Sequence, residues 1–482
     1  MSKKPFFITT PIYYVNAKPH IGHAYTTVAA DCLARFKRLA GEDVFFSVGT
    51  DEHGMKIQKK AEEAGKNPVE FTNEIVTHFQ ELWKKLNIEY TKFIRTTDPA
   101  HKKTVQRVLQ DLYDKGVIYQ GFYEGLYCVG CEQFKVADDL VDGECPDHNS
   151  VPEFMKEETY LLKMTVLQKE LIAQIESDTF HITPKKYKAE MLSFLKGETL
   201  QDISISRKNV SWGIPLPFDA TQTTYVWADA FLNYLTVLAW NGDAKNLPSE
   251  WPADVQLIGK DILRVHATIW PAILMHLGIP MPKLLFTHGH ILASGKKMSK
   301  TLGNALSIDE MLEKFGTDGT RYLLLSAGTF GDDVDLTMER MTEKYNADLA
   351  NGLGNLVSRV LKLSEQLEAG SPPTGEAGRQ QATGKKEKEI PEVLKTLIEE
   401  LRFADALGWI WNIVREANRY IDETKPWELV KTDQAQFETV MRKLLSDIAL
   451  IASSLRPFMP ETSEKIALAL QEGKTEPLFK RI

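Results

Sequence analysis

The sequence predicts an α/β fold built on a parallel sheet, interrupted by an inserted domain with a metal knuckle and followed by an all-α helix bundle. Three observations predict it. A strand–helix–strand pattern occupies the region 6–48, three cysteines and a histidine cluster among short strand-like runs within 118–225, and beyond about 339 nearly every segment is helix-like. At 482 residues the chain exceeds what one hydrophobic core can organise, so several domains are expected.

The run Phe6-Phe7-Ile8-Thr9-Thr10 is apolar, β-prone and short, as a buried strand is. A loop bounded by Pro11 and Pro19 follows, then a helical stretch over about 21–40, stopped by Gly41. Val44-Phe45-Phe46-Ser47-Val48 is the next strand and runs into Gly49-Thr50-Asp51-Glu52-His53-Gly54. Such a unit has a right-handed crossover, and the loops after both strands open on the carboxyl edge, where these sheets bind ligands. Short strands and turns over 118–225 mark the insertion, and segments at 224–227, 255–259 and 284–287 then complete the sheet. The resulting division is 1–117 and 226–338 for the two halves of the sheet domain, 118–225 for the insertion and 339–482 for the helical domain. The stretch 368–388, rich in Gly, Pro, Gln and Lys, reads as a mobile loop, and no internal repeat is present.

The hydrophobic fraction of 43% and charged fraction of 26% are those of a globular protein. No apolar run reaches the ~18 residues of a membrane span. Lys3 and Lys4 resemble a leader's basic start, but Thr9-Thr10 and Pro11 break the apolar run behind them and no small-residue cleavage site is present, so a cytoplasmic location is expected. A net charge of −8 excludes a generally basic nucleic-acid binder while leaving room for a local basic groove.

His20-Ile21-Gly22-His23 stands where the first strand hands over to the first helix. Two imidazoles three residues apart share one face of a first helical turn, whose unpaired N–H groups and dipole attract anions, and Gly22 leaves room for a flat ligand. Alone, the pair reads as two surface histidines and a helix-start glycine. Lys297-Met298-Ser299-Lys300-Thr301 lies between Gly295 and Gly303, beyond the last expected strand. Two ammonium groups on flexible stems can follow a triphosphate as its charge shifts, although in isolation such a loop is merely solvated lysine.

Cys128-x-x-Cys131 and Cys145-x-x-His148, with Gly143 and Pro146 as turn residues, supply three thiolates and one imidazole in two paired half-sites. That set fits tetrahedral zinc with no position left for water, hence a structural site. Cys32, inside the first helix, belongs to the core.

The HIGH tetrapeptide after the first strand and the KMSKT pentapeptide after the last form together the paired signature of class I aminoacyl-tRNA synthetases, with Thr301 where the family pattern has serine. The sequence further resembles the methionine-specific branch in Thr10-Pro11-Ile12-Tyr13-Tyr14-Val15-Asn16, in the run from Gly49 to Gly54, in Tyr225-Val226-Trp227-Ala228-Asp229-Ala230 and in Ile258-Gly259-Lys260-Asp261-Ile262. The resemblance covers residues 5 to about 460. It implies a Rossmann-type catalytic domain, an inserted single zinc knuckle and a helical anticodon-binding domain. It also implies activation of methionine by Mg²⁺-bound ATP and transfer to the terminal adenosine of tRNA, without a protein nucleophile.

By position, the resemblance implies that Ile12, Tyr14, Trp227, Ala230, Tyr234, Ile262, His266 and Trp270 form a thioether pocket. Asp51 is implied to hold the substrate ammonium, Arg207 to stand beside its carboxylate, and Gly259 and Asp261 to face adenosine. His20, His23, Lys297 and Lys300 then stabilise charge on the phosphates, with Gly22 and Ser299 at the nucleotide. The spacings Trp227/Ala230/Tyr234 and Ile262/His266/Trp270 place each trio on one helical face, and aromatic rings suit a soft sulfur. The same stripes occur in ordinary cores. Phe231 and Val265 depart from the proline and aromatic that some members carry. Asn355, Arg359, Pro426 and Trp427 match anticodon-reading positions, where Trp427 stacks on a base, although Trp427 could equally cap a helix and Arg359 pair with an acid. With the chain stopping at Ile482, no appended tRNA-binding domain and hence a monomer is expected. Two alternatives stand beside this reading: another class I synthetase, and a catalytically silent RNA-binding paralogue.

Overall fold

The computed structural model describes residues 4–129, 133–135, 140–146, 149–297, 306–367, 389–473 and 476–482. The chain forms two compact units, one of Met1–Pro19, Glu42–Leu82 and Tyr90–His288, the other of His20–Gly41, Trp83–Glu89 and Gly289–Ile482. Met298, Ser299, Lys300, Thr301, Cys131, His148 and the stretch 368–388 lie outside the described residues.

The first unit is built on seven parallel strands among the described residues. They are β1 (Phe6–Thr9), β2 (Tyr13–Tyr14), β3 (Val44–Asp51), β4 (Lys92–Arg95), β5 (His181–Thr183), β6 (Val255–Gly259) and β7 (Leu284–His288). β1 pairs along Val44–Ser47 of β3 and β2 along Thr50–Asp51 of the same strand, while β4 takes the other edge of β3. β6, β7 and β5 continue outward from β1 in that order. Phe7, Ile8, Phe46, Leu257, Ile258 and Leu285 are completely or almost completely buried, the composition of a parallel sheet covered on both faces. The expected strands at 6–10, 44–48, 255–259 and 284–287 are all present.

Two features differ from the sequence reading. The segment 224–227 does not join this sheet: Thr223–Thr224 pairs antiparallel with Ser206–Arg207, and the chain turns directly into the helix Val226–Ala230. Packing overrides the β-propensity of Tyr225-Val226-Trp227, because Val226, Ala228, Asp229 and Ala230 are all buried within one turn. The stretch 118–225 contributes more than an insertion. Ile118–Cys128, Gln133–Lys135, Glu153–Leu162 and Ile203–Ser204 form a separate antiparallel sheet, yet β5 from the same stretch closes the edge of the main one.

In the second unit the helix Ile21–Leu39, close to the expected 21–40, is buried from Ala24 to Phe36. At its centre Asp31 accepts from Arg35 Nε at 2.7 Å and from the Glu89 backbone N–H at 2.8 Å, and pairs with Arg321 at 2.7 Å. Arg321 has no exposed surface and also donates to the carbonyls of Leu86, Pro457 and Phe458. Cys32 is fully buried as expected, and desolvation pushes its thiol pKa up, so it is inert. Helices Ile308–Leu325 (which carries Arg321), Met338–Lys344, Glu392–Glu399, Phe403–Thr424, Pro426–Thr432, Gln434–Leu455 and Pro460–Glu472 complete the described part of the unit with Asn355–Ser364, which is reached through a π-helical stretch, Tyr345–Gly354. Among the described residues no helix is long and apolar enough to cross a membrane.

Candidate active site

In the first unit β3 ends at Asp51, which is 8% exposed, and the loop after it is tied down residue by residue. Glu52, fully buried, is gripped by Arg95 Nε and Nη2, each at 2.7 Å, and by the hydroxyls of Thr50 and Thr97. Its backbone N–H donates to Thr96, and its carbonyl accepts from the Trp212 indole at 2.5 Å. Gly49 is required by close approach: a Cβ there would lie 2.3 Å from the Ile94 carbonyl oxygen and 2.9 Å from Ile12. Asp51 is thus a carboxylate on a rigid strand end, suited to an ammonium group. Tyr14, its neighbour on β2, is half-buried with the Lys56 ammonium 5.9 Å from its ring, whereas Tyr13 is buried and stacks on Phe79 at 5.8 Å.

The expected aromatic cluster assembles, but not on two continuous helices. Trp227 and Ala230 belong to the helix Val226–Ala230 and Tyr234 to the separate turn Asn233–Thr236. Ile262 ends a 3₁₀ turn, His266 ends the helix Leu263–His266, and Trp270 lies in Ile269–Leu277. The breaks let the rings converge: His266 stands 6.2 Å from Trp227 and 6.0 Å from Tyr234, and Tyr234 stands 5.7 Å from Trp270. Phe231, one of the family departures, fills the interior, 4.9 Å from His266 and stacked on Trp270 at 5.8 Å. Trp270 is consequently fully buried. Ile12, Trp227 and Ile262 are partly exposed and pack against the same core, so the accessible wall is theirs.

The chemistry of His266 is set by its partners. Its Nδ1 donates to the Ile262 carbonyl at 2.9 Å, leaving Nε2 to accept from the Tyr234 hydroxyl at 2.9 Å. Burial pushes its pKa down to about 4, so the ring is neutral at pH 7 and the pocket floor carries no charge. The Tyr234 phenol is pushed up by burial, with Tyr13 contributing, and stays protonated.

Arg207 is buried and its guanidinium lies between two aromatic faces, 4.2 Å from the Tyr225 ring and 5.3 Å from Tyr127. It donates to Ser204 Oγ at 2.8 Å and to the Ser206 carbonyl at 2.7 Å. Gly259 closes β6, and the exposed Asp261 follows in the 3₁₀ turn Lys260–Ile262.

In the second unit His20 caps the helix Ile21–Leu39. Its Nδ1 accepts from the Gly22 N–H at 3.1 Å, while its own N–H donates to His23 Nδ1 at 3.2 Å. The two rings stack at 3.7 Å, and a Cβ on Gly22 would press on the His20 ring at 3.0 Å. With both Nδ1 atoms accepting, each neutral ring carries its proton on Nε2 as a donor. Desolvation, reinforced by His20, holds the His23 pKa well below the usual imidazole value, so this donor is uncharged. The backbone reaches Lys297 through a tight hairpin, Leu292 and Ala293 opposite Lys297 and Lys296, turning at Ser294 and Gly295 with φ of 52° and 72°. Positive φ at both turn residues is what a two-residue hairpin needs.

In the helical part of the same unit Asn355 is exposed, and Arg359, one turn on, lies 6.0 Å from the Trp427 ring. Arg359 also pairs with Asp422 at 2.8 Å. Trp427 follows Pro426 at a helix start and is 40% exposed, so it does not serve as a core cap. Asn418, on the helix Phe403–Thr424, braces the bundle, donating to the Gly352 and Val414 carbonyls.

At the knuckle, Cys128 ends a strand and Cys145 opens a turn that the Asn149 and Ser150 backbones close; both thiols are buried. Two buried sulfur donors are of the type a thiophilic metal takes.

Sequence reasoning missed the buried group of His53, His101 and Asp229. Asp229 and His53 each stood inside a quoted motif, but they lie 176 residues apart, His101 lies 128 residues from Asp229, and no local pattern joins the three.

A family model described as class I tRNA synthetases (M) matches residues 6–150 and 147–361, and one described as the anticodon binding domain of methionyl tRNA ligase matches 372–478. The methionine–tRNA ligase of Clostridium acetobutylicum is 46% identical over 97% of this chain and 73% of its own length. That of Streptomyces coelicolor is 40% identical over 96% and 89%. The solved Mycobacterium tuberculosis methionyl-tRNA synthetase with methionyl-adenylate is 34% identical, with a TM-score of 0.87 over 96% of this chain and 93% of that one. Its free-state structure gives 0.78 over 96% and 91%. The chain belongs to the methionyl-tRNA synthetases, the methionine branch of class I.

Proposed function

We propose that this chain carries out its family's reaction, ATP-dependent activation of methionine and transfer to tRNA, with a clear division of labour among its residues. Asp51 takes the α-ammonium group, Arg207 the carboxylate, and Ile12, Tyr14, Trp227, Ala230, Tyr234, Ile262, His266 and Trp270 provide or back the wall for the thioether. The methionine carboxylate attacks the α-phosphorus of ATP, whose Mg²⁺ arrives as part of the substrate, and pyrophosphate leaves. His20 and His23 donate through neutral Nε2–H groups, and Lys297 and Lys300 bring positive charge to the phosphates as that charge shifts. Gly22, Ser299, Gly259 and Asp261 lie against the nucleotide. The adenylate then acylates the tRNA terminal adenosine. Asn355, Arg359, Pro426 and Trp427 read the anticodon, the exposed indole stacking on a base.

Cys128, Cys131, Cys145 and His148 hold one structural zinc, which holds the knuckle's turns together when bound. The buried Cys128 and Cys145 support this. A cytoplasmic monomer belongs to the same reading, in keeping with a cysteine–histidine set read as metal ligands, as suits a reducing compartment.

The observation that carries the pocket is a partly buried indole, Trp227, against a neutral imidazole 6.2 Å away. A soft apolar thioether suits that surface and a charged side chain does not. Trp227→Ala should raise the methionine KM in pyrophosphate exchange and relax rejection of leucine and norleucine, a discrimination worth only ~1–3 kcal/mol in apolar pockets. Unchanged selectivity would return Trp227 to the core.

A further inference from the structure

Outside the groups assigned above, three ionisable side chains meet in the interior of the first unit. His53 Nδ1 lies 2.6 Å from one carboxylate oxygen of Asp229, and His101 Nε2 lies 2.7 Å from the other. None of the three is more than 3% exposed. Thr236 closes the chain, 2.7 Å from His101 Nδ1. Burial pushes the Asp229 carboxyl up, but the two histidines outweigh it and hold the group below the usual carboxylate range. Asp229 is therefore an anion with both oxygens occupied by ring nitrogens.

The placement matters more than the charge. His53 is two residues beyond Asp51, on the loop that the Glu52–Arg95 pair fixes from the other side. His101 is on the helix Pro99–Asp114, and Asp229 shares the one-turn helix Val226–Ala230 with Trp227 and Ala230. An apolar contact there would bury the same surface without fixing direction, since the hydrophobic effect is non-directional. A carboxylate bridging two N–H donors fixes both separation and angle. It does so between the strand end assigned to the substrate ammonium and the helix assigned to its side chain.

We propose that Asp229 is a positioning residue for amino-acid selection, which holds the Trp227 wall at a set distance from Asp51 through His53 and His101 and so sets the side-chain length the pocket accepts. This rests on the pocket reading above. The spacing so assigned serves the amino acid, so disturbing it is expected to leave ATP recognition unchanged.

The experiment is steady-state pyrophosphate exchange on the full chain with Asp229→Ala, Asp229→Asn, His53→Ala, His53→Asn and Trp227→Ala, with melting temperatures. Asp229→Ala should raise the methionine KM at least tenfold, leave the ATP KM within twofold, and improve norleucine and leucine relative to methionine. Asp229→Asn should recover methionine KM to within threefold of the parent. Its amide accepts from one ring and donates to the other once that ring shifts its proton. Should Asp229→Ala not fold, His53→Ala against His53→Asn makes the same comparison, because the asparagine amide replaces the Nδ1 donor. Parallel rises in both KM values that follow the loss of melting temperature, or no change in selectivity, would overturn the proposal. If Trp227→Ala also leaves methionine KM and selectivity unchanged, the pocket reading has failed; if Trp227→Ala shifts them and Asp229→Ala does not, the positioning role alone is wrong.

Discussion

His266 illustrates how a single buried group ties stability to function. Its folded pKa of about 4 lies below the ~6.5 of an exposed imidazole, so the unfolded chain binds the extra proton between those values. The stabilisation is complete above pH 6.5 and is lost as pH falls toward 4, a total of about 3 kcal/mol at 1.4 kcal/mol per pKa unit. The lowered His23 adds in the same direction. Urea midpoints from pH 4 to 7 should rise more steeply in the parent than in His266→Gln; equal slopes would mean that His266 titrates alike in both states. Residue types at motif positions were legible in the sequence because their chemistry is local: an imidazole pair at a helix start needs only its own turn. Which residues face the ligand was less so. Tyr13 and Tyr14 alternate on a two-residue strand, and Phe231, noted only as a departure, fills the interior and leaves Trp270 without exposed surface.

Elements were legible where burial and period agree. Phe6–Thr9, Val44–Asp51, Val255–Gly259 and Leu284–His288 are short apolar strands whose neighbours supply the rest of a parallel sheet. The failures came where tertiary contacts decide. The β-prone run at 225–227 becomes a helix because its residues are buried on several sides, and β5 carries only three residues, too few for a periodic signal. The uninterrupted stripes expected over 227–234 and 262–270 are broken helices instead, and the breaks turn the rings toward one another. The knuckle gives the element-scale prediction. Protein purified without chelator should contain about one zinc per chain. Cys131→Ala should lose the metal and expose the 118–162 segment to protease; a metal-free parent or unchanged cleavage would contradict the assigned ligands.

At the scale of the molecule, the helix that begins with His20 groups with the C-terminal helices rather than with the sheet unit, and Asp31 and Arg321 bind it there. That division was not legible, because the segment 20–41 sits in sequence between two strands of the sheet. The order along the chain was: the nucleotide motifs at 20–23 and 297–301 precede a helical region, 339–482, that carries none. Trp427→Ala tests that separation. Losing a stacking platform costs ~1–3 kcal/mol per base, so tRNA charging should fall by about tenfold or more. Methionine-dependent pyrophosphate exchange should stay near the parental rate. An equal decline in both assays with a lower melting temperature would make Trp427 a brace of the bundle.

The central claim is that this chain selects methionine and joins it to AMP. Pyrophosphate exchange with ATP, measured on the intact chain against each of the twenty amino acids without tRNA, tests it most directly. Methionine should give the highest kcat/KM, followed at a distance by apolar residues of similar length. Exchange stimulated more strongly by any other amino acid, or no exchange with methionine, would contradict it.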